Sequence, residues 1–196
     1  MAFTKTVPES EAAGAVAEMY ATDREVFGDL PNFTRAFSLR PDVYAAWRSL
    51  NGAIKANMDL RRYELATLAA ARHLRSSYCM LAHGSILMKQ FMEPGEVRAL
   101  ADDFAAAELD PVDLAIMELA DKVARDATSV GEEDLARLRS LGLTDAEIMD
   151  VVLAAAARCF FSKTLDALGV QPDAKFAALD DDVRDALVVG RPIATS

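Results

Sequence analysis

Residues 59–84 read DLRRYELATLAAARHLRSSYCMLAHG. Asp59 can cap a helix, and the run Leu65-Ala66-Thr67-Leu68-Ala69-Ala70-Ala71 that follows carries no charge and is rich in helix formers. Arg72 and His73 close this helix, and Ser76-Ser77 restart another that extends to about Gln90. Working outward, similar signals recur with short breaks. A first helix is expected from about Glu11 to Phe27, stopped by Gly28-Asp29-Leu30-Pro31. A short one follows near Phe33 to Leu39, and a third runs from about Asp42 to Met58 with Trp47 and Leu50 on its buried face. Beyond Pro94-Gly95 lies a short helix with Val97 and Leu100. Asp110-Pro111 opens another that reaches about Ala127, with proline at its tolerated first position. Gly131 and Gly142 bracket a short amphipathic helix. Thr144 and Glu147 have capping-box spacing and start a long helix ending at Gly169, apolar on every side from Val151 to Ala157. Such a helix is either central to a core or in contact with another subunit. Short terminal helices follow Pro172 and Asp180, with a loose tail after Gly190. The expected fold class is all-α, a helical bundle.

The 196 residues, 52% hydrophobic and 27% charged, fit one domain spanning 1–196 with a sizeable core. A net charge of −10 with scattered Lys and Arg argues against a nucleic-acid partner or an anionic lipid surface. The first residues lack an apolar signal core, and no run is long enough for a membrane span, so the expected location is cytoplasmic. Two cysteines, Cys79 and Cys159, make no disulfide framework. With His73 and His83 they are also a thin set of metal ligands, so no metal or other cofactor is expected.

One segment gathers a nucleophile, an imidazole and a carboxylate. With Ser76 or Ser77 as cap, Cys79 falls in the first turn of its helix, where the macrodipole favours an anion. His83, four residues on, shares its face and can accept the thiol proton or stabilise the thiolate. Glu64 heads the uncharged run. It either turns toward the core, where burial raises its pKa unless it finds a partner, or pairs with Arg61 or a lysine at the surface. Cys79 by itself is equally a small buried hydrophobe. Tyr78 and Ser76 either hydrogen-bond a small oxygen ligand at the thiol or only shape the helix start. His73 lies about half a turn round the helix from Glu64 and is left out of the site. Cys159, between an alanine run and Phe160-Phe161, reads as structural.

Together Glu64, Ser76, Cys79 and His83 resemble the motif of the alkylhydroperoxidase D and carboxymuconolactone decarboxylase superfamily: glutamate, eleven residues, cysteine, two residues, cysteine, three residues, histidine. The spacing is reproduced without a gap, with Ser76 in place of the first cysteine. Tyr78 before the cysteine and Gly84 after the histidine also match. Phe160-Phe161-Ser162-Lys163 and Ala167-Leu168-Gly169-Val170 are similar to the peroxidase-related subgroup. The resemblance is strong over about residues 60–90, weaker over 144–173 and slight in an N-terminal helical extension of about residues 1–40.

The resemblance implies a helical homo-oligomer (dimer, trimer or hexamer) and a thiol-dependent peroxidase-like oxidoreductase. In it Cys79 attacks a small hydroperoxide, Glu64 and His83 manage the proton, and Ser76 is a polar neighbour. Serine cannot resolve a sulfenic acid into a disulfide, so turnover needs an external thiol reductant, or Cys159 brought close. Two alternatives stand beside this reading. One is acid–base catalysis of the carboxymuconolactone decarboxylase type by His83 and Glu64. The other is a non-enzymatic helical oligomer with a degenerate site.

Overall fold

The computed structural model describes residues 2–195. Ten α-helices follow one another among them, with no strand: α1 (Gly14–Phe27), α2 (Asn32–Ala36), α3 (Pro41–Ala56), α4 (Leu60–His73), α5 (Ser77–Gln90), α6 (Pro94–Asp103), α7 (Pro111–Asp126), α8 (Glu132–Ser140), α9 (Asp145–Ala167) and α10 (Asp181–Leu187). The start signals act as their chemistry requires. Asp59 Oδ1 accepts from the Arg62 amide at 3.0 Å. Thr144 Oγ1 accepts from the Glu147 amide at 3.3 Å while the Glu147 carboxylate accepts from the Thr144 amide at 2.7 Å. Pro111 occupies the first turn of α7. No helix among the described residues is long and apolar enough to cross a membrane.

The centre of the bundle is α4. Every residue from Tyr63 to Ala71 is buried, and its alanines let α5, α7 and α9 close in around it. Glu64 is thereby carried into the interior rather than to the surface. The long helix α9 is two-sided. Ile148, Val151, Ala154, Ala155, Phe161 and Leu165 pack inward, whereas Met149, Leu153 and Phe160 stand exposed. On α3, Trp47 is buried as expected and stacks on Phe161 at 4.9 Å. Leu50 is 52% exposed, contrary to the sequence reading. Three residues after Trp47 it has turned some 300° round the helix, past the edge of the stripe that faces α9.

The C-terminal tail also departs from expectation. The Gly190 amide donates to Ser77 Oγ at 2.7 Å, the Ala194 amide donates to the Pro172 carbonyl at 2.9 Å, and Ala194 is buried. The tail thus clasps the turn between α4 and α5, where Arg75 adopts a left-handed φ of 55°. Gly190 is there because a Cβ would lie 2.1 Å from the Arg75 carbonyl oxygen, a backbone atom that cannot yield cheaply. Gly190→Ala is expected to cost about 1–3 kcal/mol from overpacking, read as a lowered urea midpoint. Gly84 has a related role: a Cβ would meet both Leu187 methyls at 3.0 Å, so its absence lets α10 close over α5 beside His83.

Candidate active site

The turn at Arg75 brings α4 and α5 side by side and faces Glu64 with His83. His83 Nδ1 lies 2.5 Å from Glu64 Oε2, with Glu64 fully buried and His83 nearly so. Lys55, at the end of α3, donates to the other carboxylate oxygen at 3.4 Å and remains 40% exposed, so this side of the site faces solvent. Of the two readings of Glu64, the core-facing one holds, and the carboxylate has found its partners there. Burial pushes the Glu64 carboxyl up, but His83 and Lys55 outweigh it and hold it below its ordinary value of 4.5. Burial pulls the His83 imidazole below its ordinary 6.5; the Arg158 charge acts the same way, and Glu64 opposes them. The ring is therefore neutral near neutral pH. Its ionised partner can only accept, so the proton sits on Nδ1 and Nε2 carries a free lone pair.

Cys79 is the third residue of α5, in the first turn as its spacing implied. Ser76 is the N-cap by position, but neither serine caps the helix with its side chain: Ser77 Oγ serves Gly190 instead. The sulfur is buried against α9, where Ser162 Oγ donates to it at 3.1 Å and Arg158 Nη1 at 3.5 Å. Arg158 Nη2 reaches the Tyr63 hydroxyl at 3.5 Å, and that hydroxyl donates to Asn51 Oδ1 at 2.7 Å. Among the described residues the sulfur and the imidazole share no hydrogen bond. The site therefore has two halves, a proton relay of Lys55, Glu64 and His83, and a sulfur cradle of Ser162 and Arg158.

Two expected neighbours of the thiol are engaged elsewhere. Tyr78, one residue and about 100° before Cys79 on α5, donates its hydroxyl to Asp173 Oδ2 at 2.5 Å. That contact and burial keep the phenol protonated. The buried Ser76 hydroxyl has no partner at hydrogen-bond distance. It faces Asp166 closely enough to oppose the upward push of burial on that carboxyl. His73 stands apart, 3.4 Å from Asp121. Cys159 is a free thiol, half-buried rather than in the core, and burial raises its pKa. It follows Arg158 by one residue, about 100° round α9 from the stripe of Arg158 and Ser162 that faces Cys79. Among the described residues no three His, Cys, Asp or Glu side chains stand together as a metal-binding group.

Arg158, Ser162, Tyr63 and Lys55 were not identified from the sequence. A signal for the first two was present. Arg158 is the one charge between Val151 and Ser162, and Ser162 follows it by four residues, so both fall on one face of α9.

The linked relay carries a pH signature. Between the ordinary histidine value of 6.5 and the lower value of folded His83, the unfolded chain binds a proton that the folded one does not. Stability is therefore lost as pH falls through that window. Glu64, also lowered, adds a loss in the same direction below 4.5. Asp166 and Asp173 titrate above their ordinary 3.8 and act oppositely. Urea midpoints are expected to drop on acidification below 6.5 in the wild type, and to lose that first stage in His83→Gln.

Residues 41–122 match the carboxymuconolactone decarboxylase family. Over this segment, about two fifths of its length, the chain is similar to the alkylhydroperoxidase D and carboxymuconolactone decarboxylase superfamily. The matched span holds α4, α5 and the relay, whereas Arg158 and Ser162 lie outside it. In fold the chain is similar to the alkylhydroperoxidase AhpD core of a peroxidase-related protein from Ralstonia eutropha JMP134. The TM-score is 0.82 over 89% of this chain and 94% of that one, at 21% identity. A peroxidase-related protein from Silicibacter sp. TM1040 aligns with a TM-score of 0.77 at 18% identity over 90% and 91% of the two chains. The debrominase Bmp8, in complex with 2,3,4-tribromopyrrole, aligns at 0.73 and 14% over 95% and 98%. At these identities the likeness is one of fold. No curated protein matches the chain.

Proposed function

We propose that this protein is a member of that superfamily and a thiol-dependent peroxidase-like oxidoreductase acting on a small hydroperoxide, with Cys79 as nucleophile. One observation carries the reading: Cys79, with two polar donors on its sulfur, is buried in the same site as a neutral His83 whose Nδ1 is fixed by an ionised Glu64. His83 Nε2, directly or through a water, takes the thiol proton. The thiolate attacks the terminal peroxide oxygen, an S–O bond forms and the O–O bond breaks. The sulfur is oxidised to sulfenic acid and the peroxide reduced to an alcohol, whose oxygen receives the proton held by His83. An external thiol then condenses with the sulfenic acid, releasing water. A second thiol reduces the mixed disulfide and restores Cys79. With serine at position 76 and Cys159 off the facing stripe of α9, no internal disulfide is assigned.

The exposed Met149, Leu153 and Phe160 on α9 support self-association, and light scattering is expected to report a multiple of the chain mass. A free-thiol site that depends on low-molecular-weight thiols fits a reducing cytoplasm.

The direct test is consumption of tert-butyl hydroperoxide by the reduced protein with dithiothreitol as reductant. Catalytic turnover supports the reading, and a rate no greater than that of dithiothreitol alone refutes it. A second reading, acid–base catalysis on a small lactone or carboxylate, is favoured by one feature. Arg158 places a buried guanidinium, with its Nε unpartnered, in the same site as the neutral imidazole.

A further inference from the structure

Arg158 is the least explained group in the interior. It is 4% exposed, yet among the described residues no carboxylate stands within salt-bridge distance of it, and its Nε has no hydrogen-bond partner. The rings of Trp47 and Phe161, 5.9 and 5.5 Å from the guanidinium carbon, offset part of its desolvation. A buried cation ordinarily demands an anion. The ionisable groups in contact with it are the Cys79 thiol and the Tyr63 phenol, and the phenol already donates its proton to Asn51. Charge counting gives the same answer. Lys55 and Arg158 contribute two positive charges, Glu64 one negative, and the neutral His83 none, so the site is short of one negative charge.

Building on the proposed peroxidase reading, we propose that Arg158 is a catalytic residue whose guanidinium is the counter-ion for the negative charge carried by Cys79. Nη1 holds the sulfur as it gives up its proton, and the unspent Nε–H is a donor for the oxygen that joins the sulfur. The oxygen of the sulfenic acid is then held at this N–H until the external thiol arrives. Labour is divided between two helices: His83 on α5 moves the proton, and Arg158 on α9 holds the charge. His83 is poorly suited to the second task, because its Nδ1 is committed to Glu64 and a neutral ring brings no charge.

The test uses the full chain carrying Cys159→Ser, so that the ultraviolet thiolate absorbance reports Cys79 alone and needs no reagent to reach the buried sulfur. Near neutral pH, Arg158→Gln is expected to lower the thiolate fraction about tenfold or more, the effect of losing one close opposite charge. Arg158→Lys keeps the charge and is expected to restore most of it. Arg158→Met removes the charge while keeping an unbranched chain among the surrounding rings, and is expected to lower the fraction in the same way. It also provides the answer if Arg158→Gln fails to fold. His83→Gln is expected to slow sulfenic acid formation while leaving the thiolate fraction within about twofold of its parent. The proposal is overturned if folded Arg158→Gln or Arg158→Met retains the parental thiolate fraction, or if His83→Gln abolishes it. The thiolate readouts involve no peroxide, so failed hydroperoxide turnover would remove the peroxidase reading and leave the assignment of charge to be judged on its own measurement.

Discussion

Cys79→Ser is expected to bring hydroperoxide consumption down to the rate of the reducing thiol alone, with the fold intact. The substitution replaces the buried sulfur with a slightly smaller oxygen in a place where Ser162 and Arg158 already supply polar partners, so the new hydroxyl is not left unsatisfied. A serine hydroxyl remains protonated in this setting and does not accept an oxygen atom from a peroxide. Cys159→Ser, on the half-buried side of α9, is expected to retain turnover. The pair of variants also separates the two readings of the site. Turnover of a lactone or carboxylate that survives Cys79→Ser would assign the chemistry to His83 and Glu64.

The second large effect is expected at Glu64. Its carboxylate fixes the Nδ1–H tautomer and so keeps the Nε2 lone pair available. In Glu64→Gln the amide presents N–H donors to the same ring nitrogen, which favours the tautomer with its proton on Nε2. The base is then lost without loss of volume. Sulfenic acid formation at Cys79 is expected to slow by about 10²–10⁴, measured by stopped-flow oxidation of the reduced protein. The Lys55 ammonium also loses its counter-charge, but it is 40% exposed and water can solvate it, so the stability change is expected to be small beside the kinetic one. A rate within a few-fold of wild type would show that the relay is not used.

The local part of this arrangement was legible in the sequence. Asp59 and Thr144 with Glu147 announce helix starts through bonds made within four residues, and those bonds are formed; Pro111 does so through its fixed φ in the first turn. Glu64, Cys79 and His83 carry their relation in their spacing, since two adjacent helices joined by a tight turn fix it. What spacing does not encode is which side chain meets which across the bundle. Arg158 and Ser162 lie about eighty residues from Cys79 and reach it only because α9 packs against α4 and α5. Tyr78 is next to the thiol in sequence, yet the helix turns its hydroxyl to Asp173. Leu50 shares a helix with Trp47 but lies beyond the contact stripe. The tail beyond Gly190 has no regular pattern, and its docking rests on backbone bonds to Ser77 and Pro172 that leave no mark in composition. Serine at 76 was informative about chemistry rather than position: the missing resolving thiol stood out, while its buried hydroxyl has no partner at hydrogen-bond distance.

Cys79 is the sulfur expected to take oxygen from a hydroperoxide. Peptide mass spectrometry of the reduced protein after a single equivalent of hydroperoxide, with dimedone present to trap sulfenic acid, decides this. The predicted result is a dimedone adduct on Cys79, with Cys159 unlabelled and no link between the two cysteines within a chain. A label confined to Cys159, or an unmodified Cys79 while the hydroperoxide persists, would contradict it.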